Sequence, residues 1–185
     1  MALRNALLSL LVHRPFTGYE MMNFLDGSSS FYWYATHSQT YRELHKLAEE
    51  GMVSMERVRQ EERPDKKVYS LTDAGRAEIL EWASTPSPVQ KLKDEMMPRA
   101  LCYGYVDEET AISNLREHRK AHEERLEKLM IIKLAMEGSP PHPFRTGTLL
   151  SVERGVMYCE EYMRWCDWAI EYIENEARGD DGAGG

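Results

Sequence analysis

The stretch from Thr36 to Leu71 restricts the possible folds of this chain more than any other segment. Thr36 and Gln39 stand three residues apart, as the two halves of a capping box do, and predict a helix start. The helix that follows, SQTYRELHKLAEE, is expected to bury Tyr41, Leu44, Leu47 and Ala48 along one face. Gly51 is its natural stop, since the residue after a helix often adopts the left-handed region. Met52 to Arg59 then reads as a strand, Glu61 to Asp65 as a polar turn, and Lys67 to Leu71 as a second strand. A capped helix that runs directly into a hairpin leaves few architectures open.

The flanking segments narrow the choice further. Ala2 to His13 places Leu3, Leu7, Leu10 and Leu11 in one stripe, and Pro15 ends that helix. Thr17 and Glu20 form a second capping box, opening a short helix that buries Met22 and Leu25 and stops at Gly27. Ser28 to Ser30 form a loop, followed by the aromatic run Phe31 to Tyr34. Thr72 caps a fourth helix carrying Ile79, Trp82 and Ala83, and the segment from Ser84 to Pro88 is a linker. Helix, short helix, helix, strand, turn, strand is the order of a winged helix-turn-helix.

The rest of the chain reads as helical. Asp107 to about Met136 carries Leu115, His122, Leu126, Leu129 and Ile132 on one side, and residues 138–143 break it. The last helix, from about Thr148 to Ala177, carries Leu149, Val152, Val156, Cys159, Met163, Cys166, Ile170 and Ile173 at unbroken spacings of three and four. That seam is the expected dimer interface. A second stripe, Tyr158, Tyr162, Trp165, Ala169 and Tyr172, lies beside it. The fold class expected is mainly α, with an N-terminal winged helix-turn-helix (α+β, two-stranded wing) over residues 1–85. A helical dimerisation and effector domain follows over 86–178, and then a disordered tail over 179–185.

The function expected of such a chain is binding of double-stranded DNA. Gln39, Arg42 and Lys46 project together from the third helix, and such side chains pair with adenine or guanine in the major groove. Ser38 lies at the helix N-terminus, where phosphate is commonly held. Arg59, Arg63, Lys66 and Lys67 flank the turn that would form the wing tip. Tyr19, Thr40 and Tyr41 complete the expected DNA-binding set. The net charge of −8 is concentrated away from this region. Residues 1–75 carry nine basic and ten acidic side chains, whereas residues 76–185 carry fourteen and twenty-one. Counterion release depends on the phosphates contacted, not on total charge. The same pattern also fits a winged-helix protein-interaction module without sequence-specific DNA binding, and Glu43, Glu49 and Glu50 favour that alternative slightly.

The segments TGYEMM, SQTYRELHKLAEEGMV and RPDKKVYSLTDAGRAEI together resemble the PadR family of transcriptional regulators. The resemblance rests on Gly18-Tyr19, on Tyr41, Leu44 and Leu47, on Gly51, and on the run from Lys67 to Gly75. It covers residues 3–80; Gly155 and Trp165 in the last helix extend it more weakly. Arg42 departs from the Pro or small residue that many members carry after the tyrosine, which suggests a different base preference. The resemblance implies a homodimer on a pseudo-palindromic operator, usually acting as a repressor, and in some members release by a small phenolic effector. Trp82 and Trp165 are the candidate effector-binding residues.

Other chemistry finds little support. No apolar run approaches the roughly 20 residues of a membrane span. The short apolar stretch near the N-terminus meets His13, Arg14 and Pro15 without a cleavage site, so a cytoplasmic protein with reduced thiols is expected. His118 and His122 stand four apart, but two histidines fall short of a metal site, and none is expected. Cys159 and Cys166 read as small hydrophobes. No nucleophile motif, phosphate loop or paired catalytic carboxylate appears, so neither an enzyme nor a cofactor is expected.

Overall fold

A computed structural model of the chain describes residues 2–26, 35–59, 65–87, 89 and 94–180. The expected stop at Gly27, the aromatic run Phe31 to Tyr34 and most of the wing tip, including Arg63, lie outside these residues. The chain forms two compact units, Met1–Pro88 with His142–Phe144, and Val89–Pro141 with Arg145–Gly185.

The first unit contains α1 (Ala2–Leu11), β1 (Phe16–Thr17), α2 (Gly18–Asp26), α3 (His37–Glu49), β2 (Val53–Val58), β3 (Lys66–Leu71) and α4 (Asp73–Ser84). Its core is the meeting of four helix faces with the base of the sheet. Leu7, Leu8, Leu10 and Leu11 of α1 pack with Met21 and Leu25 of α2, Leu44 and Leu47 of α3, and Val53, Tyr69 and Ile79. Each fully buried leucine contributes about 2 kcal/mol of transfer free energy. The sheet has the order β1-β3-β2 and is antiparallel throughout. The hairpin expected from the sequence is therefore joined by a third strand. Phe16 lies opposite Tyr69 and Thr17 opposite Val68. Two residues are too few for an alternating pattern to show in the sequence.

Local signals set the helix boundaries. Thr17 N–H donates to the Glu20 carboxylate at 2.7 Å and Glu20 N–H to the Thr17 hydroxyl at 3.1 Å. Thr36 and Gln39 form the same reciprocal pair at the start of α3. Gly51 adopts a φ of 72°, in the left-handed region where a side chain is strained. Thr72 caps α4 by accepting from Gly75 N–H, while its own hydroxyl donates to Gly51 O at 2.7 Å.

The second unit contains α5 (Met96–Ala100), a 3-10 turn at Tyr103–Tyr105, α6 (Glu108–Glu137) and α7 (Pro143–Asp180). Asp107 caps α6 by accepting from Thr110 N–H at 2.8 Å. The last helix begins at Pro143, earlier than the expected Thr148, because a proline is tolerated in the first turn, where its missing N–H has no helical partner to lose. It also continues through Asp180, so the first two residues of the expected tail are helical, and the remainder lies outside the described residues.

Helices α6 and α7 run antiparallel, tied by Lys133–Glu153 at 2.6 Å and Arg119–Asp167 at 2.6 Å. Their packing takes up part of the expected dimer seam. Val152, Val156, Cys159 and Cys166 are at most 4% exposed within the single chain. Val152, Val156 and Cys159 pack on Leu129 of α6, and Cys166 on Leu115 and Met96. Leu149, Met163, Ile170 and Ile173 are half-buried, and the two isoleucines join the Cys166 cluster. Six of the eight seam positions thus pack within an intrachain helical pair, and Leu149 and Met163 are in neither cluster. A repeat of this spacing specifies burial against a helix, not which helix.

Candidate DNA-binding surface

The surface is built on α3, which its neighbours hold rigidly. Leu44 and Leu47 are fully buried, and so is Thr40. Thr40 therefore takes the inner position that the sequence reading gave to Tyr41. Its hydroxyl is buried with no hydrogen-bond partner among the described residues, so it cannot reach DNA and leaves the expected set. Tyr41 is instead 42% exposed. Its ring lies across Gly18 at the start of α2, and a Cβ there would come within 2.6 Å of the Tyr41 Cε1. The glycine of the Gly18-Tyr19 pair thereby makes room for an aromatic ring on the outer edge of α3. Tyr19 next to it is 65% exposed.

The solvent side of α3 carries Ser38, Gln39, Arg42, His45 and Lys46, all exposed. Gln39 is partly committed, since its side-chain carbonyl accepts from Thr36 N–H at 2.9 Å. Its amide N–H groups remain as donors. Arg42 forms no ion pair with any described residue. Lys46 Nζ lies 3.9 Å from a Glu50 carboxylate oxygen. Gln39, Arg42, Lys46 and Glu50 follow one another at helical spacings of three and four, so the row ends on an acid.

The wing supplies positive charge beside the helix. Arg59, just past β2, and Lys66 and Lys67 of β3 are exposed. Arg57, which the sequence reading passed over, stands directly opposite Lys67 in the ladder and is also exposed. Side chains directly opposite in an antiparallel pair share a face, and like charges there repel unless an anion lies between or above them. The signal for Arg57 was its place two residues before Arg59 in a strand, hence on the same face.

The two candidate effector residues belong to different units. Trp82 is 51% exposed on α4. Trp165 lines a cavity of about 310 Å³ in the second unit, with Tyr103, Leu115, Trp168, Ala169 and Tyr172. Nearby in that unit, His122 stacks on Tyr162 at 4.4 Å with an interplanar angle of 8°, and the Tyr162 hydroxyl donates to Asp94. Burial pushes His122 down to about 4 and raises Tyr162, whose bond to Asp94 adds to the rise. No described group of three or more His, Cys, Asp or Glu could hold a metal ion, and no described helix is long and apolar enough to cross a membrane.

Comparison with known proteins follows this division of the chain. Residues 7–81 match the transcriptional regulator PadR-like family, and residues 92–174 match the virulence activator alpha C-terminal family. The negative transcriptional regulator PadR of Bacillus subtilis is 27% identical over 182 residues, covering 94% of this chain and 98% of that protein. Its crystal structure in complex with operator DNA superposes with a TM-score of 0.80 at 26% identity, covering 94% of this chain and 99% of that one. Its structure with p-coumaric acid gives 0.73 at 25% identity, with the same coverage. The matched domain, the similarity along nearly the whole chain and the shared architecture agree: the chain carries a transcriptional regulator PadR-like domain at residues 7–81 and is similar to a PadR regulator along nearly its whole length.

Proposed function

We propose that this protein is a homodimeric transcriptional repressor that binds a pseudo-palindromic operator in the cytoplasm, inserting α3 into the major groove and laying the wing along the backbone. One observation carries the reading. A helix fixed by a capping box and three buried side chains presents Arg42, Lys46 and Ser38 outward, next to a hairpin bearing Arg57, Arg59, Lys66 and Lys67. Side chains held on a rigid element can read base edges, while the wing cations meet phosphate. Arg63, expected at the wing tip from the sequence, lies outside the described residues.

Val152, Val156, Cys159 and Cys166 of the seam are buried within the chain, so a second copy would meet the half-buried Leu149 and Met163 together with other exposed side chains. Met130, Ile131 and Leu134 of α6 and Leu150 and Met157 of α7 are exposed apolar groups suited to that contact. An aromatic effector fits the cavity beside Trp165, whose lining is largely apolar and aromatic. The relative that binds p-coumaric acid supports this class of ligand. The role assigned is regulatory and needs no catalytic step.

The test is fluorescence anisotropy on a duplex from upstream of the protein's own gene, across a salt series. Specific binding that weakens steeply with salt is expected. Arg42→Ala should cost about 1–3 kcal/mol and relax specificity at one position, with the fold unchanged. A protein that binds neither this duplex nor any other would instead be the interaction module that Glu43, Glu49 and Glu50 also allow.

A further inference from the structure

Arg4 of α1 connects three helices through one guanidinium. Its Nε and Nη2 donate to the two carboxylate oxygens of Glu78 on α4, at 2.6 and 2.8 Å. Its Nη1 donates to Glu50 at the end of α3. The Arg4 side chain is only 17% exposed, against 38% for Glu50 and 35% for Glu78. The arrangement is a fork that grips one acid side-on and reaches the second with its free end. It holds the Glu78 carboxyl below the ordinary glutamate range, chiefly through these hydrogen bonds.

Glu50 is the acid that ends the row Gln39, Arg42, Lys46. An unpaired carboxylate at that place would act twice against DNA. It would repel phosphate, and it would draw in Lys46, now 3.9 Å away. Lys46 has no second carboxylate partner among the described residues, so Glu50 decides how free it is. Arg4 occupies Glu50 from behind, and its position in α1 is fixed by the leucines that pack on the core.

We propose that Arg4 is a positioning residue for DNA binding, one that holds Glu50 so that Lys46 stays available to phosphate or base. This rests on the DNA-binding reading above. It assigns to a side chain of α1, outside the helix-turn-helix and the wing, control over the charge of the recognition surface. Glu78 takes the other two N–H groups of the guanidinium and ties α1 to α4, while the reach of Nη1 to Glu50 is set by the place of Arg4 on α1, so Glu78 adds stability rather than affinity.

The experiment compares Arg4→Met, Arg4→Lys, Glu50→Gln, Glu78→Gln and the double variant Arg4→Met/Glu50→Gln. Each is titrated by anisotropy into a labelled duplex from upstream of the gene and into a random duplex, at several salt concentrations. Thermal melts run in parallel to establish that each variant is folded. Arg4→Met should weaken binding to both duplexes and lower the salt slope by about 1, the signature of one lost phosphate contact. Arg4→Lys, which keeps the charge, should bind more tightly than Arg4→Met. Glu50→Gln should restore binding in the Arg4→Met background, although the fork to Glu78 is still missing. Glu78→Gln should lower the melting temperature and leave affinity near wild type.

A purely structural Arg4 predicts a different pattern, in which the double variant stays weak and Glu78→Gln weakens binding as Arg4→Met does. Either result overturns the proposal, as does an Arg4→Met protein that binds like wild type. Failure of the underlying reading looks different again: the wild-type protein itself would show no salt-dependent binding to either duplex.

Discussion

The ring of Tyr41 on α3 lies across the α-carbon of Gly18 on α2, so close that a single methyl group on Gly18 would fall 2.6 Å from Cε1. The contact sets the spacing of the two helices of the helix-turn-helix at its outer edge. It also explains why a glycine and a tyrosine occur together at these places. The ring is the far end of a partly exposed side chain, so it can swing aside. Gly18→Ala should therefore cost only about 1 kcal/mol of stability. It should nevertheless weaken duplex binding, because Tyr41 borders the row that includes Arg42. Urea unfolding and anisotropy on the same variant would separate the two effects; unchanged affinity would remove Tyr41 from the surface.

Gly75 meets backbone instead of a mobile ring. A Cβ there would come within 2.1 Å of the Met52 carbonyl oxygen. The same carbonyl accepts from Thr72 N–H at 3.1 Å, so it cannot turn away without losing that bond. Gly75→Ala should destabilise the protein by about 3 kcal/mol or more, read as a lower urea midpoint. An unchanged midpoint would mean that α4 can shift off β2 freely.

The three thiols should separate cleanly in reactivity. Cys102 is exposed, whereas Cys159 and Cys166 are wholly buried. Burial raises the Cys159 thiol and pushes Cys166 up to about 11, so neither forms thiolate at neutral pH. Ellman's reagent should modify one thiol quickly in the native protein and the other two only after denaturation. Rapid modification of all three would show that the α6–α7 pair opens readily.

Acid should weaken the second unit through His122. The side chain is 6% exposed, and burial depresses its folded-state pKa from 6.5 to about 4. The unfolded chain then binds a proton that the folded chain refuses, so stability present above pH 6.5 is lost as pH falls toward 4. His118 is lowered for the same main reason and adds to the trend. His122→Phe, which can keep the stack on Tyr162, should flatten the dependence of melting temperature on pH in this range. An equal slope in the variant would assign the acid sensitivity elsewhere.

Much of the fold was legible in the sequence because its signals are local. The capping pairs Thr17–Glu20 and Thr36–Gln39 act over three residues, and the structure forms both as read. Gly51 and Thr72 likewise ended one helix and began another through their own backbone neighbourhood. Helical periodicity marks the α7 stripe for burial. The exposed row of Arg42 and Lys46 and the wing cations Arg59, Lys66 and Lys67 followed from spacing alone.

Choices among equivalent partners were left to the tertiary structure. Periodicity marked a stripe from Leu149 to Ile173 for burial but could not say against what, and its buried members Val152, Val156, Cys159 and Cys166 pack within the same chain. The inner face of α3 shifted by one position because Thr40 fits against the core, while Tyr41 finds its place over Gly18. Strand β1 exists only because β3 offers it an edge. Arg4 could be assigned to Glu50 and Glu78 only once α1, α3 and α4 had met, 46 and 74 residues apart in sequence. Hydrogen bonding and helical spacing act along the chain, where the sequence displays them. Packing compares surfaces distant in sequence, and only the folded chain makes that comparison.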